Sequence, residues 1–316
     1  MDFREYKLWQ KEYLTHNNPF RADCMNPFIS MNYLLKDVAF KSRNITQNRL
    51  YEKWQDTTNI EFDFDKVVLT KGVRDSLSII FKLFQDKMIY IPKDVYPRYF
   101  ELARDNRVKT FRSYPNIEWD SLDKVHNSII LFTVPFTPFG RDISSYDIEE
   151  MLKLCERGNY LILDTVYDYN QAKNFTKLEA IIDTKQCFYL HSLSKTYLSA
   201  QILGIVYTPL QYKALLEQPT PTISYNNAYD IVSQIPNLPT SQSKEFDRGW
   251  RYLKEKTDLK IKNEIGYFSV INRPFETLLR EGVLGVPSSV FGSDNKDLTI
   301  ITPLFYLSSI YGIDIK

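Results

Sequence analysis

Histidine and cysteine each occur only three times in this 316-residue chain, as His16, His126 and His191 and as Cys24, Cys155 and Cys187. An odd cysteine count without metal-type spacing argues against a disulfide framework or a Cys/His zinc site, and fits reduced thiols. An excess of one charge is also lacking. The 40 Lys and Arg stand against 39 Asp and Glu, so nothing favours nucleic acid or an anionic membrane as a partner. The first ten residues, MDFREYKLWQ, have no apolar core of a signal peptide, and no apolar run is long enough to span a bilayer. We read a soluble, cytoplasmic protein. Glycine is sparse, with 10 residues, whereas the 22 Tyr and 20 Phe suit a packed interface or a pocket for a flat ligand.

What is present is an alternating pattern. From about residue 60, short β-branched or aromatic runs recur: KVVLT (66–70), MIYI (88–91), SIILFTV (128–134), YLILDT (160–165), QCFYL (186–190) and LGIVY (203–207). Helical patterns separate them, among them RDSLSIIFKLF (74–84), YPRYFELARD (96–105) and SSYDIEEMLKLC (144–155), the last with Ser144 or Ser145 as its cap. Strands apolar on both faces and separated by helices predict an α/β fold with a mostly parallel sheet covered on both sides. Before residue 60 the chain is polar and aromatic, with NPF at 18–20 and 26–28. After about 210 the pattern changes, through PTPT (219–222) and IPNLPTSQS (235–243), to an α+β tail that predicts a smaller domain.

In such a sheet the ligand sits at the carboxyl ends of the strands. After KVVLT comes Gly72-Val73-Arg74, where a glycine entering a helix offers free N–H groups to an anion. After MIYI comes PKDVYPRY, with Tyr96; after SIILFTV comes PFTPFG, with Thr137; after YLIL come Asp164 and Tyr167. After QCFYL come Ser192, Ser194 and Lys195. Each has an ordinary reading alone: a salt-bridged acid, a solvated strand-end lysine, a surface arginine. Together they supply what one cofactor needs. Pyridoxal 5'-phosphate requires an amine for an imine (Lys195) and an acid to keep its ring nitrogen protonated (Asp164). It also requires a donor to the ring hydroxyl (Tyr167, helped by Thr137), an aromatic to stack on the ring (Tyr96), and a phosphate cradle (Gly72, Val73, Arg74, Ser192, Ser194).

These stretches resemble the class I/II aminotransferases, fold type I of the pyridoxal-phosphate enzymes, from about residue 20 to residue 302. TKGVRDSL is similar to the family's Thr-x-Gly phosphate turn and KDVYPRY to its Pro-x-Tyr-x-x-Tyr region. VPFTPFG stands at its Asn-Pro-x-Asn-Pro-Thr-Gly, DTVY at its Asp-x-x-Tyr, and HSLSK at its Ser-x-Ser-Lys. GVLGVPSSVFG resembles a glycine- and proline-containing stretch of its C-terminal domain. The resemblance implies a three-layer, mostly parallel sheet with a smaller α+β domain formed by the two chain ends. It divides the chain into an N-terminal arm and part of the small domain (1–50), a large cofactor-binding domain (51–215), and the rest of the large domain with the C-terminal small domain (216–316). It further implies that Lys195 is the Schiff-base lysine, and that a homodimer completes the pocket.

Three departures bear on function. The family's phosphate-binding arginine falls here on Ile202 or Leu203, and an apolar side chain cannot hold a dianion; Arg74 is a substitute from the opposite turn. Both asparagines of the proline loop are replaced, by Val134 and Thr137. The arginine that clamps the substrate's α-carboxylate is replaced by Thr299 or a neighbour, so that either Arg251, Arg273 or Arg280 reaches in, or the substrate presents no free carboxylate there. The leading expectation is therefore an aminotransferase acting on an unusual amine or amino-acid-like substrate in a specialised biosynthetic pathway. A lyase or cyclase using the same cofactor, and a non-catalytic binding module on the same fold, are the alternatives.

Overall fold

The six apolar runs are strands, and a seventh joins them. The computed structural model describes residues 1–199, 203–217, 224–261 and 266–304. The main sheet comprises β1 (Val67–Thr70), β2 (Met88–Pro92), β3 (Arg107–Phe111), β4 (Ile129–Thr133), β5 (Tyr160–Asp164), β6 (Cys187–Ser192) and β7 (Gly204–Tyr207). Their order is β1-β7-β6-β5-β4-β2-β3. All pairs are parallel except those of β7, which runs antiparallel to both β1 and β6. The unforeseen strand, β3, is an edge strand with Arg107, Lys109 and Thr110 exposed, a composition that blunts an open edge and hides the apolar signal.

Side chains alternate across the sheet and split its core in two. Ile129 and Leu131 of β4 pack with Leu77, Ile80 and Phe81 of the helix Val73–Leu83 on one face. Ile130 and Phe132 join Met151, Leu154, Leu178 and Ile181, from the helices Ser145–Glu156 and Gln171–Ile182, on the other. Three layers result. Ser144 caps its helix through a reciprocal box with Asp147, as the sequence suggested.

A second sheet is antiparallel: β8 (Ser269–Asn272), β9 (Val286–Pro287) and β10 (Leu298–Ile301), in the order β9-β10-β8. Beside it Phe20–Arg21 pairs in parallel with Val283–Leu284, and the Thr302 N–H donates to the Ala22 carbonyl at 2.8 Å. The two ends of the chain thus build one smaller α+β unit. The stretch 235–243, a break in pattern by sequence, opens a 19-residue helix, Leu238–Lys256. Pro239 sits in its first turn, where its missing N–H costs no helical hydrogen bond. The PTPT stretch lies outside the described residues. Among these, no helix is long and apolar enough to cross a membrane.

Candidate active site

Neighbouring strands end in the two groups with the most consequence. β5 ends in Asp164, and β6 ends in Ser192, from which the one-turn helix Leu193–Thr196 carries Ser194 and Lys195. Asp164 is 5% exposed; its Oδ2 accepts the Tyr99 hydroxyl at 2.6 Å and its Oδ1 the Val166 N–H at 3.0 Å. Burial pushes the carboxyl up to about 6, and the two hydrogen bonds act against that rise. Lys195 donates from Nζ to Asn26 Oδ1 at 3.1 Å, and its amine lies 6.0 Å from the centroid of the Tyr167 ring. Burial pulls this amine down to about 8, against the pull of the Cys24 thiol and with help from the Arg74 charge.

Both open into one cavity of about 690 Å³. Of the ten residues singled out from the sequence, nine line it: Val73, Arg74, Tyr96, Thr137, Asp164, Tyr167, Ser192, Ser194 and Lys195. Gly72 lies behind them as the N-cap of the helix Val73–Leu83, at φ 116°, a conformation that favours glycine. With no capping side chain, the first N–H groups of that helix are left for another acceptor. A Cβ on Gly204 of β7 would stand 3.0 Å from the Gly72 backbone and 2.8 Å from Thr70 Oγ1, so the turn is closely backed by the sheet. The Ser192 and Ser194 hydroxyls pair at 2.7 Å. Tyr96 is held edge-on by Phe3 at 5.7 Å, and the Thr137 N–H donates to Thr133 Oγ1 at 3.1 Å. Tyr167 packs edge-on against Tyr267 and Phe268, each at 5.4 Å, and burial raises its hydroxyl pKa.

Several lining residues escaped the sequence reading. Tyr99 falls one helical turn after Tyr96 in YPRY, and that spacing could have found it. Asn26 precedes the proline of the second NPF. Ser199 is 2% exposed and its hydroxyl has no partner among the described residues, yet it lines the cavity. The helix Phe3–His16 places Phe3, Lys7 and Gln10 on the cavity wall. His191 is a structural residue, buried among Thr165, Gln171 and Thr196, and its burial pulls the imidazole down to about 4.

The departures have structural counterparts. Ile202 lies outside the described residues, whereas Leu203 is fully buried and Val134 nearly so. Thr299 is buried on β10 and spends its hydroxyl on the Arg273 carbonyl at 2.7 Å. Arg273 pairs with Glu281, Arg280 bonds the Glu276 carbonyl and Arg251 the Asp247 carbonyl. None of these three arginines lines the cavity.

Pyridoxal phosphate can be tested against this donor set. The cavity holds a buried acid, a half-buried lysine, aromatic faces, a serine pair, an uncapped helix start and the buried hydroxyl of Ser199, which has no partner among the described residues. The residues fit the group.

Comparison with known proteins agrees. Residues 42–233 match the family model described as aminotransferase class I and II. No curated protein matches the chain in sequence. Among solved structures, a Thermus thermophilus aspartate aminotransferase variant is similar with a TM-score of 0.71 at 13% identity, covering 98% of this chain and 94% of its own. A Methanococcus jannaschii protein described as similar in its active site to kynurenine aminotransferases gives 0.68 at 20% identity, covering 98% and 94%. An Escherichia coli protein with a methionine aminotransferase function gives 0.70 at 16% identity, covering 96% and 92%. With the family model spanning more than half the chain and the fold shared over nearly all of it, this protein belongs to the class I and II aminotransferases, a family of pyridoxal-phosphate-dependent transferases.

Proposed function

We propose that the chain is a pyridoxal-phosphate-dependent aminotransferase whose substrate carboxylate is held by something other than an arginine of the C-terminal sheet. The observation that carries this reading is the placement of a buried acid, Asp164, and a half-buried lysine, Lys195, at and just beyond the ends of adjacent strands, in one cavity. When bound, pyridoxal phosphate supplies an electron sink that stabilises negative charge at the substrate's α-carbon.

The chain's own residues supply the rest. An amine lowered to about 8 is partly neutral near physiological pH, so Lys195 Nζ is able to take and return the proton at that α-carbon. Asp164, kept from water by burial and steadied by Tyr99, would hold the proton at the ring nitrogen. Tyr96 would stack on the ring, and Tyr167 and Thr137 would face its hydroxyl. Ser192, Ser194, Arg74 and the N–H groups behind Gly72 would receive the phosphate. On this reading residues 51–215 form the cofactor-binding domain, with 1–50 and 216–316 completing the molecule. The enzyme would act as a homodimer in the cytoplasm, a setting that suits three buried, unpaired cysteines.

The test is a visible spectrum during titration with pyridoxal phosphate, followed by borohydride reduction and peptide mass spectrometry. The parent should gain a band and retain the cofactor on Lys195, and Lys195→Ala should do neither. A parent that stays colourless at saturating cofactor would falsify the reading.

A further inference from the structure

Besides Lys195, the cavity has cations on two sides. Arg74 stands at the first turn of the helix Val73–Leu83, and Lys7 and Arg21 line the wall contributed by the N-terminal segment. Burial pulls the Lys7 amine down, and the Asp23 carboxylate acts against that fall. Lys7, Cys24, Lys195 and Arg74 all line the same cavity. One cationic side is absorbed by the phosphate site, which leaves the other.

Lys7 is mounted on a fixed support. Asp2 and Glu5 box the start of its helix, Phe3 packs on Tyr96 and Phe291, and the Tyr6 hydroxyl donates to the Gly285 carbonyl at 2.8 Å. Residues 3, 7 and 10 fall on one helical face, and all three line the cavity. The Lys7 ammonium donates to Gln10 Oε1 at 3.0 Å, and the Gln10 amide donates to Asp23. The Asp23 side chain is fully buried and is gripped by Arg21 through Nε at 2.7 Å and Nη2 at 3.1 Å. Two formal cations against one anion leave this wall positive, and no carboxylate bonds Lys7 among the described residues. An ammonium has three donors, so donors remain beyond the one given to Gln10.

We propose that Lys7, braced by Gln10 and the Arg21–Asp23 pair, takes the carboxylate of an α-amino-acid substrate in place of an arginine from the C-terminal sheet. The neighbouring lining, Met25, Phe28, Ile29 and Phe291, is apolar, so the favoured amino acid carries an apolar or aromatic side chain. This deepens the aminotransferase reading and rests on it.

The test uses the cofactor-loaded parent, Lys7→Met and Lys7→Arg with two matched pairs: L-leucine against 3-methylbutylamine, and L-phenylalanine against 2-phenylethylamine. Removing one partner of a partly buried charge pair should lower kcat/KM for the acids roughly thirtyfold in Lys7→Met. The matched amines should change less than about threefold, and Lys7→Arg should restore most of the loss. Equal losses for acid and amine, no loss for the acids, or a parent that converts neither amino acid would each overturn the assignment. Cofactor affinity, read separately by absorbance, keeps the two readings apart. A parent that takes up no pyridoxal phosphate sinks the aminotransferase reading itself, whereas normal uptake without an acid-specific loss sinks only the role of Lys7.

Discussion

The Tyr99 hydroxyl donates to Asp164 Oδ2 at 2.6 Å, between two side chains that are both buried, and so supports the charged form of a carboxylate that burial disfavours. Tyr99→Phe removes that donor alone. The Asp164 pKa should rise further above about 6, and stability at pH 7 should fall by about 1–3 kcal/mol, the cost of a lost hydrogen bond to a charged group. Urea unfolding and the pH dependence of turnover would read the two effects; an unchanged profile would separate Tyr99 from the chemistry.

Beside Asp168, whose burial pushes its carboxyl up to about 7, Asp164 and Lys195 also contribute to how the cofactor-free protein responds to pH. The acid's folded pKa, about 6, lies above its ordinary value, so the folded state binds more protons between roughly pH 4 and 6 and loses stability as pH rises through that window. The lysine's folded pKa, about 8, lies below its ordinary value, so stability recovers as pH rises from about 8 to 10. Between pH 6 and 8 both groups are charged and partly or wholly withdrawn from water, which is costly. Asp164→Asn should therefore melt higher than the parent at pH 7, by about 1–3 kcal/mol, with the gain gone by pH 4. Thermal unfolding across that range decides; a variant less stable at pH 7 would refute the burial cost.

Ser199 lines the cavity, and its buried hydroxyl has no partner among the described residues. Ser199→Ala removes a group that is unsatisfied in the free protein, so stability there should change by less than about 0.5 kcal/mol or rise slightly. Pyridoxal phosphate should bind roughly fivefold to tenfold more weakly, as the loss of about 1–1.5 kcal/mol of hydrogen bonding implies. Unaltered affinity in an absorbance titration would show that Ser199 does not touch the cofactor.

Gly204 approaches the Gly72 turn so closely that any Cβ must push Thr70 or the turn backbone aside. Gly204→Ala should cost about 1–3 kcal/mol by overpacking and should weaken cofactor binding by displacing the Gly72 turn. Melting temperature and cofactor titration together check it, since a destabilised variant with normal affinity would leave the turn out of the site.

The sequence disclosed the large sheet well because its central strands are buried on both faces: the continuous apolar runs at 129–133 and 187–190 can be little else. It also pointed to residues that the structure brings to one cavity, since Asp164 ends one such run and Lys195 follows another by a few residues. Edge strand Arg107–Phe111 was hidden by its own exposed charges, and the helix Leu238–Lys256 by a proline that only its first-turn position excuses. The N-terminal wall was illegible for a different reason. Lys7, Gln10 and Asp23 acquire meaning only once residues 20–21 are seen to pair with 283–284, a contact that no local pattern encodes.

That long-range pairing imposes an order of events during synthesis. Every strand of the main sheet, residues 67–207, leaves the ribosome before residues 283–284 exist to anchor Phe20 and Arg21. The acid and lysine are therefore assembled first, in a cavity open on one side, and the wall bearing Lys7 closes last. On stalled nascent chains ending before residue 283, limited proteolysis should cut freely within residues 1–30 while the sheet resists. Protection of both would remove this order.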